Sequence, residues 1–360
     1  MRRLIWQPLE KQVASAKTLL ISPNALTAPL PWPALRIKDP DVCLLYQFAV
    51  AIVPIARFLP ELMARAPAQE STAAQPKVLL VGDVDFGATP GVTELAANSR
   101  SAARGHSATQ WQSLPGTRQE VAAIKGSVAK RFGNSSVTEL SGAGATESAI
   151  RQQAEKHRYL HFSTHGFFAP PEVASASSTS AQGSRSAPES MSSQQDVSGF
   201  HPGLLSGLVL AGANRPVEED HEDGILTALE VAEMDLGSVE LATLSACETG
   251  LGATGGGEGL LGLQRAFQAA GAKTVIAGLW KVPDEATQVL MSRFYDNLWQ
   301  KRMSKVEALR EAQLWMLREG GQPNSRSTRG LAVDEDQPAE IGKRLPPYYW
   351  AAFVLSGDWR

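Results

Sequence analysis

The sequence has little cysteine, little excess charge and no long apolar run, and each absence excludes a class of protein. Only Cys43 and Cys247 occur among 360 residues, which excludes a disulfide framework, and no Cys-x-x-Cys or Cys/His spacing typical of a zinc site is present. The net charge of -3 at pH 7 gives no footprint for nucleic acid or an anionic membrane. We therefore predict no metal, no cofactor, no direct nucleic-acid partner and no membrane contact.

The most apolar segment, residues 43–59, is too short and too interrupted to span a bilayer, because it contains Gln47, Pro54 and Arg57. The first residues combine two arginines with Gln, Glu and Lys and lack the apolar run of a signal peptide. With two cysteines that need not pair, the sequence predicts a cytoplasmic protein with reduced thiols.

Short apolar runs typical of strands alternate with amphipathic segments typical of helices along most of the chain. Residues 77–84 are apolar enough for a strand buried on both faces, and 305–319 have the apolar spacing of a helix. Thr117 and Glu120 predict a capping box at the start of a helix over 117–132, and Thr146 predicts the cap of a helix over 146–157. Alternation of strand and helix requires crossover connections, so it predicts an α/β fold with a mainly parallel sheet and helices on both faces.

Three polar stretches interrupt this pattern, near residues 85–114, 169–200 and 320–347. They are rich in small and polar residues and cannot bury enough apolar surface to order themselves. Because strands and helices resume after each, we predict flexible insertions within a single domain over 1–360. For the second stretch, a lid, a self-cleavage site at Arg185 and an inert loop all remain open.

Two predicted strands deliver a reactive side chain at their carboxyl ends. The run 158–164 is followed by His165 and Gly166, and the run 239–246 is followed by Cys247. The carboxyl ends of parallel strands meet at the functional edge of a sheet, so imidazole and thiol would face each other if the strands are neighbours. A nearby imidazole activates a thiol as a nucleophile, and the backbone N–H groups of Gly166 and Cys247 are candidates for an oxyanion hole.

Each of these residues also has an ordinary structural interpretation. A cysteine at a strand end is usually a small buried hydrophobe, and a lone histidine there is usually structural. Their joint placement supports the reactive pair but leaves both interpretations open. His161 lies inside the apolar run, and we interpret it as a packed, hydrogen-bonded strand residue. The glycine-rich segment 250–262 lacks the Lys-Ser/Thr of a phosphate-binding loop, so it favours flexibility near the site over nucleotide binding.

The blocks around these residues resemble the CHAT domain, a caspase-like family within the caspase/separase/gingipain clan of cysteine peptidases. The matching stretches include "YLHFSTHG" (159–166), "GLVLAGAN" (207–214), "DGILTALEVAEMDLGSVELATLSACETGLG" (223–252) and "GGEGLLGLQRAFQAAGAKTVIAGLWKVPDEAT" (256–287). The His-Gly and Ser-Ala-Cys-Glu-Thr-Gly blocks within them, in this order, are highly specific. The family's histidine falls on His165 and its cysteine on Cys247. The resemblance implies a caspase-like α/β/α sandwich and a cysteine endopeptidase that cleaves a protein substrate through an acyl-enzyme. A non-catalytic signalling scaffold of the same fold is the alternative.

The resemblance also implies a specificity pocket and a partner. In this clan the segment after the strand that follows the nucleophile tends to line the primary specificity pocket, which makes Trp280 and Asp284 candidates for substrate binding. An acid there would favour a basic residue before the scissile bond. Asp284 follows Pro283 and opens a predicted helix, so an N-cap is its structural alternative. Family members often carry TPR repeats, which implies a TPR-containing or other sensor partner, although this chain has no TPR period.

Overall fold

The computed structural model describes residues 2–24, 27–37, 42–64, 75–87, 111–168, 204, 206–216, 222–248, 258–319 and 344–360. Of the predicted insertions, residues 88–110, 169–200 and 320–343 lie outside the described residues, as does 250–257 of the glycine-rich segment. The side chain of Cys247 also lies outside them, although its backbone is described.

Strands and helices alternate along the described residues, as the sequence predicts. The strands are β1 Thr18–Ile21, β2 Ala49–Ile52, β3 Val78–Val84, β4 Val137–Gly142, β5 Tyr159–Phe162, β6 His165–Phe168, β7 Ser206–Val209, β8 Ile225–Thr227, β9 Leu241–Leu244, β10 Cys247–Glu248, β11 Thr274–Gly278 and β12 Phe353–Gly357. The α-helices are α1 Leu44–Gln47, α2 Leu59–Ala64, α3 Pro115–Phe132, α4 Glu147–Ala154, α5 Ala228–Ala232, α6 Glu258–Ala269, α7 Asp284–Tyr295, α8 Lys305–Glu319 and α9 Pro347–Trp350. Short 3-10 or π turns occupy Arg2–Trp6, Trp32–Ala34, Ala56–Phe58, Asn134–Ser136 and Asp296–Gln300.

Eight of the described strands form one main sheet in the order β1-β2-β12-β11-β9-β5-β3-β4. Every neighbouring pair in it is parallel except β11 and β12. Helices cover both faces of this sheet, so the predicted α/β sandwich with a mainly parallel sheet is confirmed. Its parallel strands β3, β5, β9 and β11 all end at the same edge.

The inner strands of the main sheet are buried on both faces, whereas the edge strands β1 and β4 are partly exposed. Side-chain alternation explains the burial of both faces. Along β3, Leu80 packs with the apolar faces of α3, α7 and α8, whereas Leu79 and Val81 pack on the opposite face with α4 and α6. The core residue Ile124 of α3 is fully buried. Truncating such a residue to alanine typically costs about 2–5 kcal/mol, so these two layers hold the sheet in place.

A second sheet begins where two strands of the main sheet end. Its order is β10-β6-β7-β8, with β6 parallel to β10 and antiparallel to β7. The prediction that His165 ends the strand containing His161 is therefore wrong. The chain bends after β5 and His165 begins β6 in the second sheet, just as Cys247 begins β10 after β9.

The helix starts agree with the sequence in one case and differ in another. Thr146 caps α4 as predicted, since its Oγ1 accepts from the Ala149 N–H at 3.2 Å. The capping box predicted at Thr117 and Glu120 is wrong, because α3 already begins at Pro115. Thr117 instead donates to the Leu114 carbonyl at 2.6 Å, and Glu120 is left to bind other partners.

The most apolar stretch, residues 43–59, folds into α1, β2 and a short turn rather than one long helix. Across the described part of the chain, no helix is both long and apolar enough to cross a membrane.

Candidate active site

His165 is held between two aromatic rings at the start of β6. Its ring centroid lies 5.1 Å from that of Phe86 and 5.4 Å from that of Trp111, and the residue is 5% exposed. Its Nε2 lies 2.7 Å from the Gln112 carbonyl oxygen. A carbonyl can only accept, so Nε2 carries the proton and Nδ1 of the neutral ring is left as a base.

The surroundings of His165 disfavour its charged form. Burial lowers the pKa of His165 below its ordinary value, and the charge of Lys281 lowers it further. The Gln112 carbonyl and the charge of Asp284 oppose this effect without reversing it. At neutral pH the imidazole is therefore uncharged and able to accept a proton.

The backbone of Cys247 is paired directly with that of His165. In the parallel ladder between β10 and β6, Cys247 lies opposite His165 and Glu248 lies opposite Gly166. Neighbouring strands are about 4.8 Å apart, so the two residues occupy adjacent backbone positions. The structure thus brings together the two strand ends on which the sequence places a histidine and a cysteine.

Gly166 has a packing role that the sequence does not reveal. A Cβ built at Gly166 would lie 3.3 Å from the Ala246 Cβ and 3.5 Å from the Ala246 carbonyl oxygen. A side chain at Gly166 would therefore be tight, and Ala246 would have to move by a few tenths of an ångström to accept it. The predicted oxyanion role of the Gly166 and Cys247 N–H groups stays a prediction beside this structural one.

A small polar cavity of about 20 Å³ adjoins His165. Its polar lining consists of Thr117, Glu120, Ser163, Thr164, His165, Ser245, Lys281, Asp284 and Thr287. The hydroxyls of Ser245 and Thr287 are buried and have no hydrogen-bond partner among the described residues. The volume suffices for about one water molecule and is too small for a long side chain.

Below this cavity a chain of hydrogen bonds leads into the core. Glu120 is 2% exposed; it accepts from Ser163 Oγ at 2.6 Å and lies 3.0 Å from His161 Nε2. The other ring nitrogen of His161 is 3.1 Å from the Tyr295 hydroxyl, which donates to Thr243 at 2.9 Å. The prediction that His161 is a packed, hydrogen-bonded strand residue is confirmed, and its main-sheet position separates it from His165.

Asp284 lies in the cavity wall, and the predicted alternative of an N-cap for its own helix is wrong. The N-cap of α7 is Pro283, and the Asp284 carboxylate instead accepts a hydrogen bond from the backbone of Gly116 in the first turn of α3. A Cβ at Gly116 would lie 2.5 Å from the Asp284 Cβ, so glycine is needed there. Burial raises the pKa of Asp284, and the nearby charge of Glu120 raises it further.

Trp280 occupies a different place from Asp284. Its indole N–H donates to the Tyr348 carbonyl at 2.9 Å, next to the start of α9, and the ring packs against the core. Trp280 is not among the residues that line the cavity beside His165. The structure therefore brings Asp284 to His165 but not Trp280, and substrate contact by either residue stays a prediction.

Sequence reasoning missed several residues that touch the site. Phe86, Trp111 and Gln112 lie at the two ends of the stretch predicted as an insertion, and the sequence pattern predicts a helix cap for Glu120 instead of a place in the site. The one signal for the first group is a bulky indole, Trp111, in an otherwise polar stretch. Among the described residues, no group of three or more His, Cys, Asp or Glu side chains is placed to hold a metal.

Comparison with known proteins agrees with this architecture. A family model described as the CHAT domain matches residues 1–358. A mouse (Mus musculus) protein, tetratricopeptide repeat protein 28, is 30% identical over 168 residues, which cover 44% of this chain and 6% of that protein. The chain thus corresponds to a small part of that relative's length. Because the family model covers the sequence almost from end to end, including both paired strands of the site, the chain belongs to the CHAT domain family.

Proposed function

We propose that this protein is a cysteine endopeptidase in which His165 and Cys247 act on peptide bonds of a protein substrate. The observation that carries the proposal is the ladder register that sets Cys247 opposite His165. The second support is the buried, neutral imidazole whose Nε2 is occupied by the Gln112 carbonyl. Because the hydrogen bond at Nε2 fixes the ring of His165, its unprotonated Nδ1 has a defined direction in which it can accept a proton.

In the proposed reaction His165 Nδ1 takes the thiol proton of Cys247, and the thiolate attacks the carbonyl carbon of the substrate peptide. The N–H groups of Gly166 and Cys247 would bind the oxyanion that forms. The imidazolium then gives its proton to the leaving amine as the C–N bond breaks, leaving a thioester. Water, deprotonated by His165, hydrolyses the thioester and restores the thiol.

The environment of His165 favours one resting state of this pair. Burial and Lys281 lower the pKa of His165, so the imidazolium of a thiolate–imidazolium pair is disfavoured in the free protein. The resting pair in this proposal is a thiol and a neutral imidazole, and the proton moves only during attack. We therefore expect His165 to act as a general base.

The proposed specificity rests on Asp284. Its carboxylate adjoins His165, and Glu120 lies in the same cavity wall, so the negative side chains outnumber Lys281 there. This balance supports a preference for a basic residue before the scissile bond. The cavity holds about one water, so Asp284 would act on such a residue at the cavity mouth rather than by enclosing it.

Alkylation by iodoacetamide tests the reactive pair without knowledge of the substrate. We expect Cys247 to react faster than Cys43, whose burial raises its pKa, and we expect this advantage to fall in His165→Ala. Cys247→Ala should abolish cleavage of a peptide library while its thermal unfolding is unchanged. Full cleavage by that variant would contradict the assignment of Cys247 as the nucleophile. Alkylation of Cys247 no faster than that of Cys43 would support the non-catalytic scaffold instead.

Regulation by a TPR-containing partner is part of the same proposal. The support is the tetratricopeptide repeat named in the mouse relative and the family membership. We expect cleavage of a peptide library by the isolated chain to be weak and to rise when its TPR partner is added. Equal rates with and without that partner would remove the regulatory part and leave the His165–Cys247 part unaffected.

A further inference from the structure

Asn214 connects the two aromatic residues that enclose His165. It ends the turn after β7, the strand that pairs with the one carrying His165. Its backbone N–H donates to the Phe86 carbonyl at 2.8 Å. Its side-chain oxygen accepts from the backbone N–H of Trp111 at 2.9 Å, and its side-chain nitrogen donates to the backbone carbonyl of Trp111 at 2.9 Å.

In these bonds the side-chain amide of Asn214 pairs with the Trp111 backbone in the way that a backbone peptide group of a neighbouring strand would. One donor and one acceptor face the donor and acceptor of a single residue, Trp111, which fixes both the position and the rotation of that backbone. The same side-chain nitrogen also lies 3.4 Å from the Gly87 carbonyl. Asn214 therefore joins Gly87 and Trp111, the residues that flank 88–110, at the point where both segments contact His165.

The consequence for His165 follows from the next residue along the chain. Gln112 follows Trp111 in the chain, and its backbone carbonyl accepts the hydrogen bond from the Nε2–H of His165. A shift of the Trp111 backbone would move that carbonyl and the ring beside the imidazole together. We propose that Asn214 is a positioning residue that sets the tautomer and orientation of His165 through Trp111 and Gln112. This inference rests on the proposed role of His165, but its primary readout does not.

Nuclear magnetic resonance of the imidazole nitrogens tests this directly in the full chain. His165 is one of six histidines, and its signals are assigned by their loss in His165→Gln. We expect the wild type to show one tautomer with the proton on Nε2. In Asn214→Ala we expect a mixture of tautomers, because the Gln112 carbonyl is no longer held, and a titration closer to that of an exposed histidine.

Two further variants separate positioning from general stability. Asn214→Asp keeps an acceptor for the Trp111 N–H and loses the donor to its carbonyl, so its tautomer mixture should lie between those of wild type and Asn214→Ala. Asn297→Ala removes another structural asparagine, which donates to the Ala308 carbonyl at 3.1 Å far along the chain from the site. It should lower the midpoint of urea unfolding and leave His165 unchanged. If Asn214→Ala does not fold, the Asn214→Asp spectrum decides.

The rate of iodoacetamide alkylation at Cys247 gives the second readout. A displaced base is expected to slow that reaction roughly 10- to 100-fold in Asn214→Ala and leave Asn297→Ala near the wild-type rate. An unchanged His165 tautomer in both Asn214 variants would overturn the inference. A shifted tautomer in a protein whose Cys247 reacts no faster than Cys43 would uphold the inference and contradict the peptidase proposal, so the two failures are distinguishable.

Discussion

Two buried carboxylates lie near opposite ends of the main sheet, and their surroundings differ sharply. Glu240 directly precedes β9 at its amino end, where its oxygens lie 2.6 Å from Lys305 Nζ and 3.0 Å from Lys273 Nζ. Arg158 adds a third positive charge at 3.8 Å. Glu120, near the carboxyl ends of the strands, instead faces neutral hydroxyls, a histidine and a second carboxylate.

The pKa shifts of Glu240, at the amino end of the sheet, and of Asp284, which lies beside Glu120 at the carboxyl end, have opposite signs. Lys305 holds the pKa of Glu240 below its usual range even though burial acts to raise it. Burial and the charge of Glu120 instead raise the pKa of Asp284. At the amino end the charges are compensated and stabilise the fold. At the carboxyl end the charge of Asp284 is not fully compensated, because the pKa of this carboxyl is raised. Carboxyl groups with a pKa raised in this way are typical of functional sites.

The largest effect is expected from removing the compensated carboxylate. Glu240→Gln leaves the Lys305 ammonium, which is 3% exposed, without its closest counter-charge. Breaking a buried ion pair in this way costs about 3–5 kcal/mol of unfolding free energy. Urea unfolding measures the loss.

The exposed pair of Lys125 and Glu139, with 2.7 Å between its charged atoms, provides the matched control for Glu240. Its Glu139→Gln variant should lose less than about 1 kcal/mol, because water screens a surface pair. Equal losses in Glu240→Gln and Glu139→Gln would show that burial does not separate the two pairs.

Sequence patterns predict the main sheet well, because the spacing of apolar residues reports local burial. The α8 boundaries, the Thr146 cap and the mainly parallel character of the sheet all follow from such local signals. The Glu240–Lys305 pair does not, since its partners are 65 residues apart in sequence and no local pattern joins them.

At the site the same limit separates what could be predicted from what could not. His165 and Cys247 were found because each directly follows an apolar run, and the family blocks carry both. Glu120 was misassigned because Thr-x-x-Glu also fits a helix cap, and only the tertiary contact with Ser163 and His161 distinguishes the two uses. Asn214 lies within the block 207–214 that resembles the family, but no local pattern indicates its role, because its partners Phe86 and Trp111 are distant in sequence.

A smaller effect of opposite sign is expected at the uncompensated end. The folded-state pKa of Asp284 is raised, so its ionised form opposes folding at pH values above that pKa, and the effect vanishes below the ordinary 3.8. Asp284→Asn removes the charge and keeps an oxygen for the Gly116 N–H. We expect a higher midpoint of thermal unfolding at pH 7 and no gain at pH 3.

The charge of Glu240 is expected to affect the free energy of unfolding with the opposite sign to that of Asp284. Its folded-state pKa is lowered, so its contribution is present above the ordinary 4.5 and is lost as the pH falls through the folded-state pKa. Glu240→Gln should therefore be destabilised at pH 7 and approach the wild type in acid. A destabilised Asp284→Asn at pH 7 would show that the ionised Asp284 carboxylate stabilises the fold, which is the opposite of the sign expected here.

The smallest effect concerns Lys281, whose positive charge lowers the pKa of His165 after burial has done so. His165 must be neutral to accept a proton, so alkylation of Cys247 should lose its His165-dependent rate only as the pH falls below the ordinary 6.5. Lys281→Gln should raise the His165 pKa, so the fall of the alkylation rate at low pH should begin at a higher pH. The side chain is exposed, so the shift should be small and should shrink in 0.5 M salt, about the concentration at which surface charges are largely screened. Lys125→Gln removes another exposed positive charge outside the site and should leave the rate's fall at low pH where it is. An equal shift in both variants would mean that net charge, not the position of Lys281, sets the pKa of His165.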